Sequence, residues 1–522
     1  MRPHGPRDLG ITLFCIGTFA VVIDRVQQWQ CIKKLRPDQP VPPMGTGGGV
    51  FCLSLFGSRP AQAAQGHFMR IFLLPFWFTV FGFILLSPGT PGFPAEAQSP
   101  PEPKEEEQIG EWWKKLESGI VDPIKGIRYS WKEGLWIEEP TANLKLKIGG
   151  KFMADAGKIN ADDTMKNALP GIEDEKEGII FRYFSPYVQG TLSDSLEFKF
   201  EMDFANIRDI KDIWVNFKNI PYLGQIKVGH FGQPMSIEDK TNSRDITFME
   251  KALPVLAFPP GLDIGVMAIN TAFRERMTWA AGVFRITGSF SNVGEARNRL
   301  TEQLGTSLAA RITYLPIYGK EGRELLHLGF SYNRQFIDVP RADSQTRFSA
   351  RPETFLTDQR LVDTGVFFAE GVEIYNPELA WVSGPLSFQS EYFRTLVHSG
   401  ETGNPVFWGW YAQGSYFLTG EHRPYDRQNG YFDRVSPKKN FAPGKGQWGA
   451  WEAALRYSVL DLSDQGVQGG KGRDFTVGVN WYLYPTMRVM FNYVYSTVTD
   501  RANPSLDGGR LNIFQMRVQL AF

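Results

Sequence analysis

Apolar and polar residues alternate over much of this chain, and this alternation constrains the fold more than any other feature. At the C-terminus, residues 511–522 read LNIFQMRVQLAF, in which Phe514 and Met516 alternate with Gln515 and Arg517. A period of two residues is that of a β-strand with one apolar and one polar face. A soluble β-sandwich could also end in such a strand, so one segment does not decide the fold.

The pattern recurs along the chain. Two clear examples are LKLKIGGKF, which begins at Leu144, and LEFKFEMDFA, which begins at Leu196. The other predicted strands before the C-terminal one lie at 179–191, 210–219, 223–231, 262–271, 276–285, 305–315, 325–337, 365–383, 386–398, 406–418, 448–460, 474–484 and 486–499. An even strand number is typical of bacterial outer-membrane barrels, whose strands turn their apolar face to lipid. The sequence therefore predicts an all-β fold, an antiparallel transmembrane β-barrel of about sixteen strands.

The lengths of the connections give an independent test, because outer-membrane barrels alternate long outer loops with short periplasmic turns. The predicted outer loops are long and lie at 153–178, 232–261, 286–304, 338–364 and 461–473. Nearly all predicted inner turns, such as TLSDS and YPT, are short. The exception is 419–447, a long connection on the inner side. Either this segment folds back into the barrel or the strand count is wrong there.

The N-terminal part has a different character. Residues 69–97 begin with Met-Arg, continue with the apolar run IFLLPFWFTVFGFILL and end in Ala-Glu-Ala, which together predict a secretory signal peptide. A membrane anchor is the alternative, but the apolar run is short for a span. Because a signal peptide belongs at a chain start, we interpret residues 1–68, which hold all the cysteines, as a non-native extension. Residues 98–140 are predicted to be flexible with a short amphipathic helix, which leaves 141–522 for the barrel.

Composition and motifs limit the classes of function. The chain has 56 basic and 56 acidic residues, so no overall positive field attracts anions or nucleic acid, and any anion preference must be local. The sequence GKGQWG at 444–449 matches GxGxxG, but it leads into an alternating segment instead of a helix. The histidines after residue 140 lack metal-ligand spacing. We therefore expect no enzyme, no metal and no cofactor.

The polar faces of the predicted strands would line a water-filled lumen. By the alternation, the lumenal basic residues are Lys145, Lys147, Arg276, Arg311, Arg456, Arg488 and Arg517, and the lumenal acidic residues are Glu197, Glu201, Asp203 and Glu452. A wall of mixed charge that is simply hydrated is one interpretation of this set.

The outer loop 232–261 is too apolar to be freely solvated. We expect it to fold inward against the barrel wall as a constriction loop, which would bring Lys240, Arg244 and Lys251 into the narrowest part of the lumen. Acidic residues of the same loop could equally pair with these bases and cancel their charge, namely Asp239, Asp245 and Glu250.

Several motifs of the chain resemble those of the phosphate-selective porin O/P family. Between Leu144 and Phe522 they are KVGHFGQPMSIEDKTNSRDITFMEK, YFLTGEHRPYDR, GAWEAALRYSVLDL, and GVNWYLYP followed by MFNYVYS. The resemblance implies a sixteen-stranded, usually trimeric outer-membrane barrel whose inward loop and basic wall conduct phosphate or polyphosphate. It also implies that Arg244 and residues 249–251 belong to the constriction motif and that Arg182 occupies a position of clustered arginines.

The sequence thus predicts an outer-membrane porin for passive diffusion of small anions. The predicted anion-binding and constriction residues are Arg244, Lys251, Lys240, Lys145, Lys147, Arg182 and Arg276. The expected partners are phosphate or polyphosphate, outer-membrane lipid, the barrel assembly machinery through the C-terminal Phe522, and further copies in a homotrimer, but not nucleic acid. The alternatives are a non-selective porin with mixed-charge walls and a secreted soluble β-sandwich that binds a ligand or glycan.

Overall fold

The computed structural model describes residues 126–522 except 170, 173–177, 206–208, 289, 291–294, 296, 299–304 and 338–344, and it also describes residues 115 and 119–121. The predicted extension 1–68 and the predicted signal peptide 69–97 lie outside the described residues. Most of the predicted amphipathic helix lies outside them as well. Among the described helices, none combines the length and the apolarity needed to cross a membrane.

Sixteen antiparallel strands, β1–β16, form the barrel. In chain order they are Leu144–Ala161, Gly178–Leu192, Leu196–Asp203, Asp209–Ile220, Gly224–Gly232, Leu262–Ala272, Met277–Arg285, Thr306–Gly319, Glu324–Phe336, Gly371–Ser383, Leu386–His398, Val406–Phe417, Ala450–Asp464, Val467–Tyr484, Met487–Arg501 and Arg510–Ala521. Every predicted strand is present, so the predicted fold class is confirmed.

The barrel closes because β16 pairs with β1, in a register that starts with Leu511 opposite Ala161. Closure matters because a membrane interior holds no water to satisfy the backbone groups of a free sheet edge. The last residue extends this pairing. The Phe522 amide donates to the Gly150 carbonyl at 2.9 Å, and the Gly150 amide donates to the Phe522 carbonyl at 2.6 Å.

Burial follows the two faces that the alternation predicts. On β16, Phe514 and Met516 are 54% and 37% exposed, whereas Gln515 and Arg517 are 4% and 1% exposed. On β3, Phe200 is likewise exposed, at 43%. The apolar side chains therefore form the outer, lipid-facing surface, and the polar side chains point into the lumen.

The prediction of a long outer loop at residues 461–473 was wrong. There β13 and β14 continue toward each other, and only residues 465–466 connect them. Glycines are frequent in this stretch, and one of them allows a close approach inside a strand: a Cβ on Gly472 would lie 2.6 Å from Cγ2 of Val362. The glycine therefore marks packing against another segment and not a turn.

The constriction loop, residues 233–261, folds into the lumen as predicted. It contains two short helices, α2 (Ile237–Lys240) and α3 (Leu253–Ala257). Helix α1 (Asp163–Ala168) lies earlier in the chain, in the first outer loop. The Ser236 hydroxyl caps α2 by accepting from the Asp239 amide. Most large apolar side chains of the constriction loop are at most 4% exposed, among them Ile237, Ile246, Phe248, Met249, Leu253, Val255 and Phe258. Leu256 is partly buried.

A second outer segment, residues 345–370, also enters the lumen, which the sequence did not predict. Two short strand pairs shape it, 345–346 with 367–368 and 349–350 with 362–363. Glu353 at its inner end is fully buried and accepts hydrogen bonds from Ser458 and Thr476 of the wall. We call this segment the second inward loop.

The long inner connection, residues 418–449, folds back into the barrel. Within it, Tyr425–Asp426 pairs with Tyr431–Phe432 as a small hairpin. The carbonyl of Gly430 accepts from the Arg311 guanidinium of β8 at 2.8 Å, which fixes the hairpin to the wall. Of the two alternatives for 419–447, the structure confirms the fold-back, and we call this segment the periplasmic insertion.

Part of the N-terminal segment 98–140 forms strands. Arg128–Trp131 pairs with Leu135–Glu139, which pairs with the periplasmic end of β1. The Trp131 ring stacks near the Phe522 ring, with 6.2 Å between centroids. This hairpin thus extends the sheet where the first and last barrel strands meet.

Candidate functional site

The lumen is filled on one side and open on the other. The constriction loop packs against β11–β16, and arginines of the wall hold it there. On β13, Arg456 donates to the Glu250 carbonyl at 2.8 Å and forms an ion pair with Glu238 at 3.1 Å. The same guanidinium lies 4.4 Å from the centroid of the Phe248 ring.

A second set of contacts joins three parts of the chain at Glu250. Arg517 of β16 contacts Glu250 at 2.8 Å, and Arg182 of β2 contacts the same carboxylate at 2.8 Å. Arg517 also forms a bidentate pair with Asp155 of β1, at 2.6 and 2.7 Å. Glu250 thus lies between two cations and Asp155 contacts one, which offsets the cost of removing these charges from water. These guanidinium groups are therefore committed to holding the loop.

Arg488 of β15 holds the loop through its backbone. Its guanidinium donates to the Ile246 carbonyl at 2.9 Å and to the Arg244 carbonyl at 3.0 Å. Carbonyls of an irregular buried segment need such partners, because unsatisfied backbone groups are costly inside a protein. The inward-pointing arginines Arg456, Arg488 and Arg517 therefore serve mainly to satisfy the constriction loop.

The open side of the lumen is a cavity of about 500 Å³ between β1–β8, the constriction loop and the periplasmic insertion. Its titratable and amide-bearing lining residues are Lys151, Tyr187, Gln189, Glu197, Lys199, Glu201, Asp212, Asn216, Lys218, Gln225, Lys227, Lys240, Asn242, Arg244, Arg311, Gln428, Asn429 and Tyr431. Seven of these carry positive charge and three carry negative charge, so the cavity has a net positive lining.

The three carboxylates of the lining are paired with lysines. Lys199 contacts both Glu201 and Asp212 at 2.6 Å. Lys151 contacts Glu201 at 3.3 Å. These pairs lie on the wall itself, so the excess positive charge of the cavity comes from other residues.

Lys227 and Lys240 supply much of this excess. No ion pair of either lysine with a carboxylate occurs within the described residues. The Lys227 ammonium lies over the Trp214 ring, 4.3 Å from its centroid. The Lys240 ammonium donates to the carbonyls of Gly232 and Gln233 at 2.9 and 3.2 Å. Two lysines without a carboxylate partner can both interact with an anion in the cavity.

The electrostatic environments of Lys240 and Lys251 in the constriction loop differ. Burial lowers the pKa of Lys240, and nearby Asp239 only partly opposes this. Burial also acts against the charged form of Lys251, but its contact with Asp239 at 2.6 Å outweighs burial, so the pKa of Lys251 is raised. The charge of Lys251 is therefore already matched inside the protein, whereas that of Lys240 is less well matched.

The structure brings two of the predicted site residues, Lys240 and Arg244, together in the cavity lining. Arg244 also contacts Asp245 of the same loop at 3.1 Å. Lys251 and Arg182 are not among the lining residues, and each pairs with a carboxylate of the loop.

The other three predicted site residues lie toward the periplasmic ends of their strands. Lys145 is exposed, and Lys147 lies 5.5 Å from the Trp136 ring centroid of the N-terminal hairpin. Arg276 donates to carbonyls near the end of β8, among them that of Leu315 at 3.3 Å. None of the three lines the 500 Å³ cavity.

Several lining residues were not chosen as site residues from the sequence, above all Lys199, Lys218 and Lys227. The signal was present, because Gln225 and Lys227 alternate with the apolar Ile226 and Val228. Alternation assigns a lysine to the lumen, but it does not tell which part of the lumen stays open. Within the described residues, no group of acidic, histidine or cysteine side chains could hold a metal ion.

Comparison with known proteins found a matching family model and several similar proteins. A model of the phosphate-selective porin O and P family matches residues 146–522. An uncharacterised protein of Caulobacter vibrioides is 28% identical over 383 residues, covering 72% of this chain and 74% of that protein. Porin O of Pseudomonas aeruginosa is 23% identical over 424 residues, covering 75% and 91%. Among solved structures, the anion-selective porin from Comamonas acidovorans aligns with a TM-score of 0.44 and 11% identity, covering 73% of this chain and 100% of that chain.

Proposed function

The chain belongs to the phosphate-selective porin O and P family of the outer membrane, and we propose that it carries small anions, phosphate or polyphosphate in particular, by passive diffusion. The observation that carries this proposal is the charge of the open cavity, whose lining contains seven cationic side chains and three carboxylates. The cations outnumber the carboxylates only locally, since the whole chain has no net charge.

An anion that enters the cavity loses part of its hydration shell. Ammonium and guanidinium donors of Lys227, Lys240 and Arg244 replace the lost water contacts. Low-dielectric walls strengthen this attraction relative to open water. Single ammonium donors on flexible stems bind a phosphate less rigidly than a bidentate guanidinium does, so release stays fast.

The wall arginines have a different role in this proposal. Arg456, Arg488 and Arg517 hold the constriction loop on the β11–β16 side, which keeps the β1–β8 side open. The lysines thus act on the passing anion, while the arginines maintain the passage in which they act.

A non-selective porin is the second candidate, and the paired carboxylates favour it. Glu197, Glu201 and Asp212 lie on the same wall as the lysines and offer acceptors to cations. If these groups screen the lysines from the passage, anions and cations would pass at similar rates.

Single-channel recording tests the proposal directly. Chloride conductance of the purified porin in a planar bilayer should fall as phosphate is added at constant ionic strength, because phosphate occupies the lysine-lined cavity longer than chloride does. The same titration with a Lys227→Gln variant should need several-fold more phosphate. A chloride conductance that does not respond to phosphate would refute phosphate preference and favour the non-selective porin.

Two further parts of the proposal concern assembly. We propose that the barrel assembly machinery recognises the C-terminal strand through Phe522, whose backbone completes the pairing with Gly150. We also propose that the porin is a homotrimer. Chemical cross-linking in isolated outer membranes tests the trimer, and a species no larger than a dimer would contradict it.

A further inference from the structure

The outer surface of the barrel carries a group of basic residues near the extracellular ends of β11–β16. Arg394 of β11 lies between the buried residues Phe393 and Thr395, so its side chain points away from the lumen. Arg473 of β14 precedes the buried Asp474 and points outward for the same reason. Lys471 on β14 and Arg510 on β16 share this outward face.

Strand register places the first part of this group in one row. Arg394 is opposite Trp408, Trp408 is opposite Asp461, and Asp461 is opposite Lys471. Lys471 contacts Asp461 at 3.0 Å and lies 4.9 Å from the Trp408 ring centroid. This row therefore contains one carboxylate, Asp461, which pairs with Lys471.

The second part lies one row closer to the membrane centre. Arg473 is opposite Thr497, and Thr497 is opposite Arg510. Neighbouring strands are about 4.8 Å apart, so the backbones of Arg473 and Arg510 are about 10 Å apart. Among the described residues, Arg394, Arg473 and Arg510 form no ion pair with a carboxylate. We call Arg394, Lys471, Arg473 and Arg510 the outer basic patch.

Aromatic residues mark the position of this patch relative to the membrane. Trp410 and Tyr457 contact each other on the outer face with 5.8 Å between ring centroids, and Tyr392 beside them is 41% exposed. Trp and Tyr gather at the level of lipid headgroups. The basic side chains therefore lie at and just beyond this level, on the extracellular side.

A cation at this position faces headgroups and not acyl chains. Arginine is suited to phosphate because its planar guanidinium donates two parallel hydrogen bonds. Basic side chains at a membrane interface attract anionic headgroups over a short range. An arginine on the same outer face outside the patch is already neutralised: Arg334 of β9 contacts Glu373 at 2.6 Å.

We propose that the outer basic patch binds the phosphate groups of a phosphorylated glycolipid of the outer leaflet, the lipid A part of lipopolysaccharide. Two or three guanidinium groups without carboxylate partners hold one headgroup, while its acyl chains lie against the aromatic and aliphatic face of β11–β16. This site is separate from the lumen and does not depend on which solute the porin carries.

Thermal unfolding of the detergent-purified, lipid-free porin tests this site with three probes. Lipid A should raise the midpoint of unfolding by about 2–4 °C. Lipid A without its phosphates, and inorganic pyrophosphate alone, should raise it little or not at all. The triple variant R394Q/R473Q/R510Q should lose most of the lipid A shift. The matched control R334Q, which changes an outward arginine outside the patch, should keep it.

Any of the following results would overturn the proposal. An equal shift with dephosphorylated lipid A would show that acyl chains alone bind. An equal shift with pyrophosphate would show a site for free anions and not for a lipid. A triple variant that keeps the lipid A shift would place the lipid elsewhere, and a triple variant that changes oligomeric state without losing the shift would assign the patch to a contact between copies.

Discussion

Arg517 and Glu250 form an ion pair of 2.8 Å inside the barrel, between the last strand and the constriction loop. Removing Arg517 leaves the buried Asp155 without this ion-pair partner and leaves Glu250 with Arg182 alone, and breaking a buried pair costs about 3–5 kcal/mol. We therefore expect Arg517→Met to release the loop toward the open side of the lumen, to lower the stability of the folded barrel to urea and to lower single-channel conductance.

Arg510→Met is the matched control for this change, because Arg510 belongs to the same strand but faces outward. In detergent it should alter stability by less than about 0.5 kcal/mol and leave conductance unchanged. Equal effects of the two substitutions would contradict a specific role of Arg517 in holding the loop.

A substitution in the periplasmic insertion tests whether this segment narrows the passage through the lumen. A Cβ on Gly430 would lie 2.7 Å from the Thr278 hydroxyl oxygen, and the φ of Gly430 is +75°, a conformation that other residues rarely adopt. Gly430→Val should displace the hairpin from the wall and raise conductance. Gly444→Val in the same insertion is the control, since no atom lies within 4 Å of a Cβ there.

Arg244 and Lys251 of the constriction loop were both predicted to bind anions, but the structure gives them different surroundings. Arg244 lines the cavity, whereas Lys251 pairs with Asp239 at 2.6 Å and does not line it. Arg244→Ala should therefore lower the ratio of anion to cation permeability more than Lys251→Ala does. Reversal potentials in a salt gradient measure this ratio, and equal losses in both variants would contradict the assignment.

The lowered pKa of Lys240 predicts a pH dependence. A lysine with a lowered pKa loses its positive charge at lower pH than an exposed lysine, so anion selectivity should fall at lower pH than the ordinary lysine pKa would give. In Lys240→Arg the guanidinium stays charged, and the selectivity should persist to higher pH. Identical pH profiles for both proteins would contradict a contribution of the Lys240 charge to anion selectivity.

Much of the barrel could be predicted from sequence, because lipid on one side and water on the other impose alternation on each strand. Phe514 and Arg517 could be assigned to opposite faces from the sequence alone. The inward direction of the constriction loop followed from its many apolar residues. Both inferences depend on local composition.

The arrangement inside the lumen could not be predicted in the same way. Glu353 accepts a hydrogen bond from Arg456, which lies 103 residues later in the sequence. No local sequence pattern predicts a pairing over that separation. The constriction loop and the periplasmic insertion decide which lysines line the open cavity. Lys227 was therefore not selected from the sequence, and its role became visible only from the packing of these segments.

The reversal potential of the double variant K227Q/K240Q tests the central claim most directly. The native porin should be anion-selective in a salt gradient, and the double variant should lose about fivefold or more of its anion preference, the factor that corresponds to about 1 kcal/mol. The control K145Q/K147Q removes the same charge outside the cavity lining and should change the potential little. A double variant as anion-selective as the native porin would contradict the claim that these two lysines select the anion.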